Sequence, residues 1–189
     1  MPRADAQRNM DALLAAAKAE FAAQGVDVHV RAIAARAGVG TATLYRHFPL
    51  RSDLISAVFR REVDACAAEA SQLAASHKPD EALELWLQRY TEFVATKRGL
   101  AAALHSGDPA FNGLKTYFED HVGPALRTLL DNAVAAGAVR DGVDPSDLLG
   151  AVSNLCVPPP GTDDTSRAYR MVALLIDGLR YGAGQSAHD

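Results

Sequence analysis

The chain has 189 residues, 49% of them hydrophobic and 22% charged, and a net charge of −4. That balance belongs to a soluble globular protein of one domain or two small ones. No run of about 18 apolar residues occurs, which excludes a membrane-spanning helix.

The opening stretch, "MPRADAQRNMDALLAAAKAEF", mixes charge with apolar residues and has no continuous hydrophobic core. It does not read as a secretory signal, so the expected location is cytoplasmic. Cys66 and Cys156 lie 90 positions apart without metal-like spacing and read as reduced packing residues. The acidic total argues against a nucleic-acid binder, but its distribution does not. Residues 1–51 hold seven basic side chains (Arg3, Arg8, Lys18, Arg31, Arg36, Arg46, Arg51) against four acidic ones, and the remainder carries an acidic excess of seven. A basic front on an acidic body is a footprint worth following.

Nearly every segment has helical period. A first helix runs from about Ala4 to Ala23, with Met10, Leu13, Leu14, Ala17 and Phe21 on one stripe and Gly25 at its end. Val26-Asp27-Val28-His29-Val30 alternates, but Gly25 precedes it and a helical pattern follows at once, so it reads as a loop. A second helix covers Val30 to Ala37 and a third Thr41 to Phe48, stopped by Pro49. Arg51-Ser52-Asp53 opens a long fourth helix to about Ala75, with Leu54, Ile55, Val58, Phe59, Val63 and Cys66 inward. Pro79-Asp80 starts a fifth, to about Lys97, and Leu100 to His105 forms a short one. A longer helix is expected from Pro109 to about Ala136, interrupted near Gly123-Pro124. Asp144 caps the next, to about Cys156, with Pro145 at its first position. "VPPPGTDD" reads as a rigid linker. Ser166 to Tyr181 is the last helix, and "GAGQSAHD" a frayed tail. The expected fold is all-α, with about nine helices.

The stretch "IAARAGVGTATLYRHF" carries the chemistry. Ile33 and Ala34 face inward from the second helix, and Gly38 allows a tight left-handed turn. Leu44 and Phe48, four apart, face inward from the third. Thr41, Ala42, Thr43, Tyr45 and His47 are left outward, with Arg46 flanking. This is the spacing of a helix-turn-helix whose second helix enters the DNA major groove. Hydroxyls and a small alanine suit base edges, while Tyr45, His47 and Arg51 suit phosphates. The N–H groups opening the fourth helix offer a further phosphate site. A plain helical hairpin has the same small-turn-small spacing, so spacing alone leaves both readings open.

"VRAIAARAGVGTATLYRHFPLRSDLI" resembles the DNA-binding signature of the TetR family of bacterial transcriptional regulators. The likeness runs from about Arg8 to Leu54 and is dense from Val30 to Phe48. Beyond residue 60 it is one of layout, similar to actinobacterial members. The resemblance implies a helix-turn-helix DNA-binding domain at 1–50 and a larger helical effector-binding and dimerisation domain at 51–189. It implies base reading by Thr41, Ala42 and Thr43 and backbone contacts from Tyr45 and His47. Arg51 stands where lysine is usual. His29 stands where a Ser or Thr cap is usual, so Arg31 is the alternative phosphate contact.

The same resemblance implies a homodimer formed through 144–156 and 166–181, with Leu148, Leu149, Val152, Tyr169, Val172, Leu175, Ile176 and Leu179 as its candidate apolar face, a stripe that also reads as the chain's own core. It places a small-molecule effector pocket among Trp86, Tyr90, Phe93, Leu104, His105, Phe111, Tyr117, Phe118 and His121, residues that read equally well as plain core. His105 and His121 are too isolated to argue for a metal, and no cofactor is implied. The expected function is a ligand-responsive repressor that binds a palindromic double-stranded DNA operator as a dimer and is released by a small molecule. An all-α enzyme is disfavoured, since no G-x-S-x-G, H-E-x-x-H, glycine-rich phosphate loop or helical Glu-x-x-His pair occurs. A helical adaptor that binds only protein is the third reading.

Overall fold

The computed structural model describes residues 2–158 and 165–181. The linker residues 159–164 and the tail 182–189 lie outside the described residues. The described residues are all-α: α1 (Pro2–Gln24), α2 (Val30–Ala37), α3 (Thr41–His47), α4 (Arg51–Ser76), α5 (Pro79–Gly99), α6 (Ala101–Leu104), a 3-10 turn (Pro109–Phe111), α7 (Leu114–Ala135), α8 (Pro145–Leu155) and α9 (Thr165–Arg180). Residues 26–28 form a turn and bend, the loop expected between Gly25 and α2.

The chain packs as two compact units. One comprises the described residues of Met1–Glu62 and Ala95–Tyr117, the other those of Val63–Val94 and Phe118–Asp189. In the first unit, Leu13, Leu14, Ala17 and Phe21 of α1 are buried with Ile33, Ala34, Leu44, Phe48, Leu54, Ile55 and Val58. Gly99 lets the end of α5 press on α1, since a Cβ there would sit 3.0 Å from the Phe21 carbonyl oxygen. Ion pairs tie α1 to its neighbours, among them Lys18 Nζ to Glu62 Oε2 at 2.6 Å on α4, and Arg36 Nη1 of α2 to Glu20 Oε1 at 2.9 Å. Both carboxylates are buried, so each needs its partner to offset desolvation.

In the second unit Trp86, Leu83, Leu87, Tyr90, Phe93, Leu126, Leu129, Val152, Val172 and Ile176 form the core. The Trp86 indole N–H donates to the Cys66 carbonyl at 2.8 Å, giving its one donor a buried partner. Cys66 and Cys156 are free and buried.

Three expectations change. The helix expected from Pro109 starts late: Pro109–Phe111 is a single 3-10 turn capped by Asp108, whose Oδ1 accepts from the Ala110 N–H at 2.9 Å. The expected interruption at Gly123-Pro124 is absent, for α7 runs through Pro124. That proline lies on the exposed side of α7, and it cannot supply the N–H that the Asp120 carbonyl would otherwise receive. The face expected to bind a second subunit is also revised. Leu148, Leu149, Val152, Val172, Ile176 and Leu179 are buried in the chain's own core. The apolar side chains left exposed on α9 are Tyr169 and Leu174, joined by Tyr181 just beyond it.

Candidate nucleic-acid interface

Seven residues cannot hold a helix in water by hydrogen bonds alone, and α3 is held by its neighbours. Leu44 is 2% exposed and Phe48 is buried beside it. The preceding turn is a Schellman closure: Gly38 adopts φ 70°, its N–H bonds the Ala35 carbonyl at 3.1 Å, and the Val39 N–H bonds the Ala34 carbonyl at 3.0 Å. Only glycine takes that conformation at no steric cost. Gly40 then opens α3, and Phe48 closes it through its N–H on the Leu44 carbonyl at 2.8 Å.

This anchoring sets the free face. Ala42, Tyr45 and Arg46 are exposed, Tyr45 at 54%, while Thr41, Thr43 and His47 are half-buried. The His47 ring rests near Phe48 at 6.4 Å between centroids. Arg31 projects from the exposed side of α2. α3 thus offers a small group, a phenol and a guanidinium, with hydroxyls half-buried beside them, and α2 adds a second exposed guanidinium, a mixture suited to base edges flanked by phosphates.

Two features of the neighbourhood differ from the sequence reading or were not legible in it, and a third agrees with it. The carboxylate of Asp53, in the first turn of α4, accepts the Leu50 N–H at 3.0 Å. It satisfies the N–H of the capping residue and puts a negative charge in the first turn. Arg51 does not reach outward for a phosphate. Its Nη1 donates to the Val26 carbonyl and its Nη2 to the Val28 carbonyl, the latter at 2.8 Å. His29 is the N-cap of α2 and makes no side-chain cap, as its poor capping chemistry led one to expect.

The residues considered for an effector pocket are divided. Trp86, Tyr90, Phe93 and Phe118 form one stack in the second unit, with centroids 5.7 Å apart for Trp86–Tyr90, 5.8 Å for Tyr90–Phe93 and 5.5 Å for Phe93–Phe118. The Tyr90 hydroxyl lies 3.0 Å from Ser153 Oγ. Burial, the largest influence, pushes its pKa up to about 12, against the lowering by the Ser153 hydrogen bond. His121 is exposed on α7. In the first unit, Leu104 is half-buried, His105 is exposed with Nδ1 at 2.8 Å from the Ala101 carbonyl, and the Tyr117 ring carries the Arg60 guanidinium 4.3 Å from its centroid. Phe111 lines an open cleft of about 570 Å³ with Val26, Leu50, Arg51, Ile55 and Ala103. Among the described residues no cluster of His, Cys, Asp and Glu could hold a metal ion, and no helix is long and apolar enough to cross a membrane.

Known proteins share this arrangement. Residues 13–58 match the family model described as bacterial regulatory proteins, tetR family, and residues 78–181 match the one described as transcriptional regulator SbtR-like, C-terminal domain. Similar solved structures include a TetR transcriptional regulator from Streptomyces coelicolor, 36% identical with a TM-score of 0.79, covering 90% of this chain and 97% of that one. A TetR transcription regulatory protein from Mycobacterium vanbaalenii is 34% identical with a TM-score of 0.72, covering 95% and 99%. HTH-type transcriptional regulators of Staphylococcus aureus strains USA300 and N315 are 29% identical over 117 residues, 61% of this chain, which spans 62% of the length of those curated relatives. The N-terminal helix-turn-helix, the helical remainder and these matches agree: the chain belongs to the TetR family of bacterial transcriptional regulators, and is a DNA-binding regulator, not an enzyme.

Proposed function

We propose that the protein is a ligand-responsive repressor, working in the cytoplasm, that binds a palindromic operator as a homodimer and is released by a small molecule. One observation carries this reading: α3 buries Leu44 and Phe48 and offers its polar face to solvent. Residues 1–50 are the reading head. Thr41, Ala42 and Thr43 read base edges, Tyr45 and His47 grip the backbone, and Arg31 and Arg46 add charge to phosphates. Residues 51–189 hold the effector and the second subunit.

A palindrome requires two reading heads related by a two-fold axis, their recognition helices about 34–36 Å apart. The proposed dimer face is the outward side of α8 and α9, where Leu174 is 61% and Tyr181 84% exposed. The proposed effector is a largely apolar molecule taken against the Trp86–Tyr90–Phe93–Phe118 stack. Release requires that it bind one conformation of the protein more tightly than the DNA-binding one.

Mobility shift with duplexes enriched from a random-sequence library tests the reading. A sequence-selective shift that weakens steeply with salt is expected, and its absence rejects DNA reading. Tyr45→Ala should weaken all bound duplexes alike, by about ten-fold, with the circular dichroism spectrum unchanged. Retained affinity would remove Tyr45 from the interface.

A further inference from the structure

We infer that Arg51 positions α2 and thereby sets operator specificity, in place of the side-chain cap that α2 lacks. The inference rests on the reading of α3 as the DNA-reading helix. A helix start leaves backbone N–H groups without partners, and a Ser, Thr, Asp or Asn at the N-cap ordinarily serves one of them and pins the entering chain. His29 occupies that position with extended backbone, φ −64° and ψ 132°, and supplies no such bond. The turn leading into it is instead gripped from α4. The two arms of the Arg51 guanidinium donate to the carbonyls of Val26 and Val28, one on either side of Asp27. Val26 and Val28 have buried side chains, so the turn is fastened on both its apolar and its polar side.

The fork matters. A planar guanidinium spans two acceptors in a set geometry, whereas an ammonium is a point charge on a flexible stem. From this clamp the connection to α3 is short: α2 passes through Ala34 and the closure at Gly38–Val39 into α3. A small displacement of α2 therefore reaches the base-reading residues Thr41, Ala42 and Thr43, and costs specificity before it costs general affinity for DNA.

The test compares Arg51→Lys, Arg51→Gln and Arg51→Lys with His29→Ser, using the library-enriched duplex as specific site and a scrambled duplex as competitor. Arg51→Lys keeps the charge and loses the fork. Its ratio of specific to non-specific affinity is expected to fall five-fold or more, and His29→Ser in that background is expected to restore most of it by supplying a cap. Arg51→Gln is expected to lose specificity with its log–log salt slope unchanged. The inference is overturned if Arg51→Lys matches the wild type while Arg51→Gln loses about 0.9 of slope per subunit, the mark of a lost phosphate contact. Hydrogen exchange without DNA gives an independent arm. The amides of residues 30–37 are expected to exchange at least ten-fold faster in Arg51→Lys, and unchanged exchange overturns the clamp whatever the DNA result. A wild-type protein that enriches no duplex sinks the DNA reading instead, and exchange still decides the role of Arg51.

Discussion

Helices α3 and α9 are both amphipathic, yet they leave opposite things exposed. The seven residues of α3 bury Leu44, with Phe48 buried at the cap, and show solvent a phenol, a guanidinium and an alanine. The sixteen residues of α9 bury Val172, Ile176 and Leu179 and still show solvent Tyr169 and Leu174. A short helix whose aliphatic side chains are used for anchoring offers mainly hydrogen-bonding and charged tips, which suits a hydrated polyanion. A longer helix with apolar side chains to spare offers the beginning of a protein interface.

The largest effect expected on this comparison is at α3. Leu44→Ala removes one of its two anchors and should cost about 3 kcal/mol in chemical unfolding, with DNA binding lost along with the helix. An unchanged unfolding midpoint would mean that burial does not hold α3. At α9 the change should spare the fold. Leu174→Asp places a charge on an exposed site, so sedimentation should show association weakened about a hundred-fold, about 2.8 kcal/mol, with secondary structure intact. A dimer that survives moves the interface off this face.

Smaller effects report on the aromatic stack and on the cap. Tyr90→Phe removes the hydrogen bond to Ser153 and should cost about 1 kcal/mol. It also changes the alkaline limb. The Tyr90 pKa is about 12 against the ordinary 10.0, so the unfolded chain gives up that proton first. Stability is then full below about pH 10 and falls as pH rises towards 12. Thermal melts of Tyr90→Phe should show a shallower fall in that window, and an identical limb would place the titration elsewhere. His29→Ser alone should stabilise by about 0.5 kcal/mol through the restored cap, read from the unfolding midpoint at neutral pH.

Much of the reading head was legible because its determinants are local. The four-residue step from Leu44 to Phe48 marks a buried stripe, Gly38 marks a left-handed closure, and His29 marks a helix start without a good cap. The residues that steady the head were not legible. Glu20 and Arg36 lie 16 positions apart, Lys18 and Glu62 lie 44 apart, and Arg51 reaches back 23 and 25 positions to its carbonyls. Nothing in residue type announces which charge will meet which partner across such separations. Which side chains are left for a second subunit was not legible for a related reason. The stripe of Val172, Ile176 and Leu179 says that one side of α9 is buried, but not whether the cover comes from the same chain.

By itself the sequence determined the helical periods, the ends of most helices and the identity of the groups on α3, because caps, prolines, glycines and apolar spacing act within a few residues. Only the tertiary structure decided that Arg51 faces the protein, that Pro124 is tolerated inside α7, and which side of α9 stays in water. Those outcomes depend on which surfaces and acceptors arrive from elsewhere in the chain, and burial and desolvation are settled only once they have arrived.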